Sequence, residues 1–316
     1  MKVGDIEIVP VLDGMILSKL PASKPFPDQD SDAWREQHGM FRADGLIEST
    51  VGAFLVRAGE RLALVDAGAG QALPGGYSPP AVDIDDDDDP FVSLLLGQGM
   101  PREQLSHIVE HFSSAHIDRG ELPASLRQIG VDAADITDVI LTHLHFDHIG
   151  WVSADGEPYF PNATIRCAAA DLDYFLPGVE EEQFISLVFQ TPKVPERFAP
   201  ILDRVETWEG DCTLFPGVDV RLAPGHTPGS SVVVLSDGNE RAMLLGDMVH
   251  CPLELADDDF NLLVDHDPAL ARSVREAYAR ELEGREIPAA ASHFPGLRFG
   301  RLLPGTGVRR WSFDPG

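Results

Sequence analysis

The sequence predicts an α/β sandwich, with two β-sheets facing each other inside and helices covering them outside. Three observations carry that expectation. Each half of the chain reads as a run of strands followed by a helix, which suits two sheets that each need a covering layer. The strand candidates are short β-branched and apolar runs, such as Asp138-Val139-Ile140-Leu141-Thr142 and Val218 to Leu222. The chain has 316 residues, 43% of them hydrophobic, which is ample for a large core. We expect residues 1–316 to form one domain.

Ile6 to Leu12 is the first strand. Residues 17–48 read as an irregular arm that carries Pro21, Pro25 and Pro27 among Phe26, Trp34 and Phe41. Aromatics in such an arm suggest packing on its own domain or on a second subunit, which leaves a homodimer open, and a plain surface loop is the competing reading. Val51 to Arg57 and Arg61 to Val65 are the strands of a hairpin around Gly59-Glu60. Residues 71–100 read as an insertion, and its acidic run of Asp83 and Asp85 to Asp89 reads as solvated loop. Phe91 to Leu96 is apolar, and either lines a site entrance or buries against the sandwich.

Glu121 to Ile129 is a helix stopped by Gly130. It feeds the strand 138–142. Ala163 to Cys167 is a strand and Ala169 to Leu176 a helix, and residues 178–204 tend to helix with Phe184, Leu187, Val188 and Phe189 on an apolar side. Val218 to Leu222, Ser231 to Leu235 and Ala242 to Leu245 are strands, the last two joined at Asp237-Gly238. Asp267-Pro268 opens a helix to about Leu282, with aspartate at the cap and proline at the first position. Leu270, Val274, Ala277 and Tyr278 form its expected buried stripe. Ile287 to Ala291 is a strand that ends at Ser292-His293-Phe294-Pro295-Gly296.

The densest chemistry lies in His143-Leu144-His145-Phe146-Asp147-His148, where four candidate metal ligands fall within six residues. On a strand, His143 and His145 point the same way. Asp147 and His148 follow in a loop or first helical turn that returns them to the same cavity. Such a geometry holds two metal ions, one on His143 and His145 and one on Asp147 and His148. Imidazole and carboxylate suit zinc, and also manganese, iron or cobalt.

This motif resembles the signature of the metallo-β-lactamase superfamily, which implies an αββα sandwich of two mixed sheets with a dinuclear site at one edge. The resemblance implies three later ligands. His226 in the tight loop Ala223-Pro224-Gly225-His226-Thr227-Pro228-Gly229, Asp247 after Gly246, and His293 stand where they are expected. The first metal then takes His143, His145 and His226, the second takes Asp147, His148 and His293, and Asp247 bridges them. Asp66, in a turn similar to the Asp-x-Gly turn of the family, is expected to fix the ligand loop by hydrogen bonds, with a simple turn aspartate as the competing reading. Two divalent ions bring four positive charges, of which Asp147 and Asp247 cancel two. A bridging hydroxide leaves about +1 to polarise a carbonyl or phosphoryl oxygen.

Around the ligand loops the chain is most similar to the branch of methyl parathion hydrolase and the N-acyl-homoserine lactonases, over roughly residues 45–300. Lactonases of that branch place a tyrosine three residues after the bridging aspartate. Here that residue is His250, which resembles the phosphotriesterase-like members. His250 either orients or donates to the substrate, or is a buried histidine bonded to backbone. Trp151 replaces a glycine often found after the motif, which would narrow the pocket. Phe146, Trp151, Met248 and Phe294 are either pocket wall or ordinary core.

Composition bounds the partners. With 24 basic and 52 acidic residues the formal net charge is −28. Nucleic acid and anionic membranes both call for a positive surface, so a small-molecule substrate is expected instead. Cys167, Cys212 and Cys251 are widely spaced with no C-x-x-C, which argues against a disulfide framework and suits a reducing cytoplasm. The first residues lack the apolar core of a signal peptide. No apolar run reaches about 18 residues.

The expected activity is that of a dinuclear hydrolase, lactonase-like or esterase-like, acting through a metal-bridging hydroxide on a small neutral ester, lactone or phosphotriester. His250 and the two carboxylates Asp147 and Asp247 are its expected catalytic groups. A glyoxalase II-like thioesterase would need a C-terminal helical domain, and the short chain end after His293 does not supply one. An iron-dependent persulfide dioxygenase would keep fewer ligands. A non-catalytic, ligand-binding descendant of the fold would show broken ligands, and here none is broken.

Overall fold

The computed structural model describes residues 1–18, 46–97, 101–103, 105, 106, 109, 115–256, 265–305 and 309–314, with the backbone alone for 180–184. The first sheet contains β1 (Lys2–Val3), β2 (Ile6–Ser18), β3 (Ile47–Ala58), β4 (Arg61–Val65), β5 (His116–Asp118) and β6 (Asp138–Ile140). After a small hairpin of β7 (Ser153–Ala154) and β8 (Glu157–Pro158) outside it, the sheet is completed by β9 (Thr164–Ala168) and β10 (Val205–Trp208). The strand order is β1-β2-β3-β4-β6-β9-β10, with β5 beside β2. The pairs β4–β6, β6–β9 and β9–β10 are parallel and the remaining pairs antiparallel.

The second sheet holds β11 (Cys212–Phe215), β12 (Val218–Leu222), β13 (Ser231–Asp237), β14 (Glu240–Leu244), β15 (Ala289–Ala290), β16 (Gly300–Leu303) and β17 (Arg310–Phe313) in sequence order, with only β14–β15 parallel. The helices among the described residues include α1 (Pro90–Gly97), α2 (Leu122–Gln128), α3 (Phe146–Ile149), α4 (Ala169–Phe175), α5 (Glu180–Phe189), α6 (Val194–Phe198), α7 (Leu253–Ala256) and α8 (Pro268–Leu282).

The period of two along the strands builds the layers. On β3, Ala53 and Leu55 enter the core under the outer helices, with Leu122, Leu126 and Phe198. Their neighbours Phe54 and Val56 enter the core between the sheets, against Val220, Val233 and Leu244. On β13 the alternation repeats: Val233 and Leu235 face inward, while Val232 and Val234 meet Tyr278 and Leu282 of α8. Three cores therefore separate four layers, and each fully buried Val, Leu or Phe contributes roughly 1.5–3 kcal/mol.

Several boundaries differ from expectation. The first strand runs on to Ser18 and β3 begins at Ile47, so the ends of the expected arm at 17–48 are strand, and residues 19–45 lie outside the described residues. Phe184 of the expected apolar side also lies outside the described side chains. The strand before the histidine motif ends at Ile140, and the last expected strand shrinks to Ala289–Ala290. On α8 the buried stripe is Ala271, Arg275, Tyr278, Ala279 and Leu282, whereas Leu270 is 40% exposed and Ala277 is exposed. Arg275 is the reason: its guanidinium is ion-paired and buried, which rotates the helix away from the purely apolar stripe. Asp267 caps α8 as expected, accepting a hydrogen bond from the Leu270 N–H at 3.0 Å.

The acidic run Asp85 to Asp89 is mostly exposed. Beyond it Phe91, Val92 and Leu95 pack on Val188 of α5, so this segment buries against a neighbouring helix. The cysteines are free. Among the described residues no helix is long and apolar enough to cross a membrane.

Candidate metal centre

The loops after β4, β6, β12, β14 and β15 converge at one edge of the sandwich. After β6 the Leu141 N–H bonds to the Arg166 carbonyl, the last tie to the sheet. Thr142 then donates from its N–H at 2.8 Å and its hydroxyl at 2.9 Å to Asp66 at the end of β4. His143 and His145 therefore leave from a loop, not from a strand, and still share one cavity: His143 Nε2 lies 3.1 Å from His145 Nδ1. The next residues wind into α3, which returns Asp147 and His148 to the same space, as the motif predicts.

Two loops interlock beneath this turn. The Ala67 N–H bonds to the His148 carbonyl at 2.7 Å, Gly150 N–H to the Gly68 carbonyl at 2.6 Å and Trp151 N–H to the Ala67 carbonyl at 2.9 Å. The approach requires glycine. A Cβ on Gly150 would stand 2.0 Å from the Ala69 carbonyl carbon, and one on Gly68, at φ +58°, 2.6 Å from Asp13 Cγ. Buried Asp13 holds the arrangement by accepting from Ala69 N–H, Leu122 N–H and the Trp151 indole N–H. Trp151 thus packs in the first-sheet core beside Tyr159 and serves as scaffold.

The second half brings His226, Asp247 and His293 to the cluster. His226 Nε2 lies 2.8 Å from His145 Nδ1. One oxygen, Asp247 Oδ2, is the hub. It stands 3.1 Å from His293, 3.3 Å from His148, 3.5 Å from His250, 3.7 Å from His226 and 3.8 Å from His143, each at Nε2. His293 Nε2 is also 3.4 Å from Asp147 Oδ2. Ligand atoms within 4.8 Å of one another form four triads: His143-His145-His226, His143-His148-Asp247, Asp147-His148-His293 and His226-Asp247-His250.

Outward-facing nitrogens are backed by acceptors. His148 Nδ1 donates to Asp66 at 2.9 Å, His293 Nδ1 to the Thr50 carbonyl at 2.9 Å, and His226 Nδ1 lies 3.3 Å from Asp265. This pattern sends each Nε2 lone pair into the cluster. Asp66 also accepts from Ser292 at 2.9 Å, so it ties three loops together as expected. Buried Asp171, which the sequence did not single out, accepts from Leu144 N–H, Thr227 O–H and Gly229 N–H and joins the first ligand loop to the loop of His226. Burial pushes its carboxyl up to about 6 against the Thr227 and Gly229 bonds.

The residues fit metal ions. His148 Nε2 and Asp247 Oδ1 are buried with no hydrogen-bond partner among the described residues. Such atoms are costly to bury unless a cation or water answers them. Protonation differs across the cluster. Burial drives His143 well below the ordinary histidine range, with His148 adding to it, and brings His226 down to about 4 against its bond to Asp265. Burial also acts to lower His148 and His293, but Asp247 and nearby carboxylates outweigh it. His148 lies well above the ordinary value and His293 at about 9. Burial alone would raise Asp247, but His148 and His293 hold it well below the carboxylate range.

His250 keeps 14% of its side chain exposed and sits at the mouth, its ring parallel to that of His293. Beside His145 a narrow cleft opens, lined by Phe146, Ile149, Phe175, Ile185, Thr191 and Lys193 among others. Phe146 stacks on Phe189 at 4.4 Å. Met248 and Phe294 belong to the core beneath α8. Sequence reasoning missed Asp171, Asp265, Glu254 and Arg275, whose charged side chains read as surface until their long-range partners are seen.

The sequence profile of the metallo-β-lactamase superfamily matches residues 48–286. An N-acyl homoserine lactonase of Bacillus thuringiensis is 26% identical over 161 residues, covering 48% of this chain and 57% of the relative. One from a Bacillus species is 28% identical over the same length. The match thus spans little more than half the length of these curated relatives. Among solved structures, AidC, a dizinc quorum-quenching lactonase, superposes with a TM-score of 0.73 at 23% identity, covering 100% of this chain and 97% of that one. The hydrolase AbOPH of the β-lactamase superfamily gives 0.73 at 22% identity over the same shares. At these identities the likeness is one of fold.

Proposed function

The chain belongs to the metallo-β-lactamase superfamily, and from that membership we propose that it is a dinuclear metallohydrolase acting on a small neutral ester or lactone. The observation that carries the reading is Asp247 Oδ2, which lies within 3.8 Å of the Nε2 atoms of His143, His226, His148 and His293. A carboxylate so placed suits a bridge between one ion on His143, His145 and His226 and another on Asp147, His148 and His293. Zinc is the proposed ion, by likeness to the dizinc lactonase fold. When bound, the ions supply a water of lowered pKa and Lewis acidity toward the acyl oxygen.

Hydrolysis adds water across the acyl C–O bond, so that hydroxyl goes to the acyl carbon and a proton to the leaving oxygen. Asp147 and Asp247 are the carboxylates that face this space. His250, at the mouth, is placed to hold the polar oxygen of the substrate from the side opposite Glu254. The same residue favours a second substrate class, phosphotriesters, because it stands where lactonases of the resembling branch place tyrosine.

The test is metal analysis of the purified protein coupled to turnover on lactones, aryl esters, β-lactams and phosphotriesters. Two equivalents of metal and hydrolysis of a lactone or ester are expected. A ceiling of one equivalent under metal-replete conditions, or no turnover on any of these, would overturn the reading.

A further inference from the structure

His226 and His250, whose ring centroids stand 4.8 Å apart, are joined behind by buried charged side chains into a ring. Asp265 Oδ1 stands 3.3 Å from His226 Nδ1, and its other oxygen accepts from Arg275 Nη2 at 2.9 Å. Arg275 Nη1 is 3.7 Å from Glu254 Oε1 and 3.5 Å from the Met248 carbonyl. Glu254 Oε2 accepts from the His250 N–H at 2.6 Å and from the Cys251 N–H at 3.3 Å, and lies 3.5 Å from His250 Nδ1. The ring thus runs from one imidazole to the other through three charged side chains. The side chains of Arg275, Asp265 and Glu254 are 3%, 1% and 0% exposed, so water does not screen it.

A purely structural account fits this poorly. One guanidinium neutralises one carboxylate, and among the described residues two are buried against it. Buried ion pairs contribute little net stability over an apolar replacement, so the surplus charge is a cost without a stabilising return. Each carboxylate spends its second oxygen on a histidine or on the backbone of one. That is the arrangement by which outer residues fix the tautomer and direction of metal-facing imidazoles.

We propose that Arg275 is a positioning residue that holds Asp265 against His226 and Glu254 against His250, setting the two imidazoles as a unit. The inference rests on the metallohydrolase reading. It extends that reading from the ligands themselves to a device on α7, α8 and the segment before α8 that aims a metal-facing group and a substrate-facing group together.

The test compares Asp265→Asn, Glu254→Gln, the double variant, Arg275→Met and Arg275→Lys. Zinc affinity is read by chelator competition, and thermal melting is read on metal-free protein. Asp265→Asn is expected to weaken the affinity of one zinc by about 10- to 100-fold, in the range of outer-ligand losses. Glu254→Gln, which touches His250 and Arg275 but not His226, is expected to weaken the same zinc through Arg275, and the double variant to lose less than the product of the two single losses. Arg275→Lys should recover part of what Arg275→Met loses. If Arg275→Met does not fold, the two carboxylate variants and their double carry the test alone.

Single losses that multiply, or a Glu254→Gln protein with wild-type zinc affinity, would overturn the coupling while leaving the hydrolase reading intact. Lowered melting with unchanged zinc affinity would make the ring structural only. A wild-type protein that binds no zinc would overturn both.

Discussion

In the proposed centre His143 and His226 serve one ion, His148 and His293 the other, with Asp247 common to both, and the two sides are held from different layers of the fold. His148 and His293 lean on the first sheet, through Asp66 after β4 and the Thr50 carbonyl in β3. His226 leans on α8, through Asp265 and Arg275. The charge they meet differs as well. The first-sheet side sits among Asp66, Asp147 and Asp247, which raise the proton affinity of its imidazoles. On the other side burial prevails and keeps His143 and His226 neutral. In the proposed dinuclear centre, two similar ligand sets would therefore bind metal under different proton competition.

The largest effect is expected where the two sides meet. Asp247→Asn keeps the size of the side chain but removes the charge that faces five imidazole nitrogens, and an amide nitrogen has no lone pair to give. Turnover should fall by more than about 100-fold, beyond the range of outer residues, with at least one ion lost. Circular dichroism should be unchanged because the sandwich cores are untouched. A folded variant with two ions and near-normal turnover would remove Asp247 from the centre.

Asp66→Asn should break one side only. Its carboxylate accepts from Thr142, His148 and Ser292, and an amide turns one acceptor into a donor that faces donors. We expect a loss of about 2–4 kcal/mol in urea unfolding, from one or two unsatisfied buried groups. The ion on His148 and His293 should weaken while the other keeps its affinity. Equal weakening of both ions would erase the distinction drawn here.

The pH dependence sharpens it further. A histidine whose pKa is raised holds its proton until pH exceeds that value, and a metal must displace the proton to bind. Affinity on the His148–His293 side should therefore fall as pH drops below about 9, by about tenfold per unit for each proton displaced. On the His143–His226 side, where His226 loses its proton near pH 4, affinity should stay level from about pH 6 to 8. Chelator competition across that range reads both, and parallel slopes would contradict the charge argument.

The smallest effect is expected at the mouth. His250→Phe should keep both ions and lose about 10- to 100-fold in turnover. Loss of an ion from this variant would instead class His250 with the ligands.

Much of this was legible in the chain because the information was local. His143, His145, Asp147 and His148 fall within six residues, so a strand end and one helical turn suffice to gather them. The glycine and proline loop around His226 and the cap Asp267-Pro268 are local as well. Sequence periodicity misjudged α8 because it treats arginine as solvated, whereas Arg275 finds Asp265 and buries. Asp171 and Asp13 were missed for the same reason. Their partners are backbone N–H groups of distant loops, and nothing in the neighbouring residues announces them.

The interlock of residues 67–70 with residues 148–151 bears on how a metal would arrive. Backbone hydrogen bonds from Ala67, Gly150 and Trp151 fix the ligand turn to the loop beside it, at a spacing that admits no Cβ on Gly150. The conformational entropy of ordering that turn is therefore spent when the chain folds, not when an ion binds. Metal capture at this edge should resemble docking into a preformed socket, unlike small metal-dependent domains that fold around their ion. Stripping the metal should accordingly abolish chemistry while leaving amide protection in the turn almost unchanged.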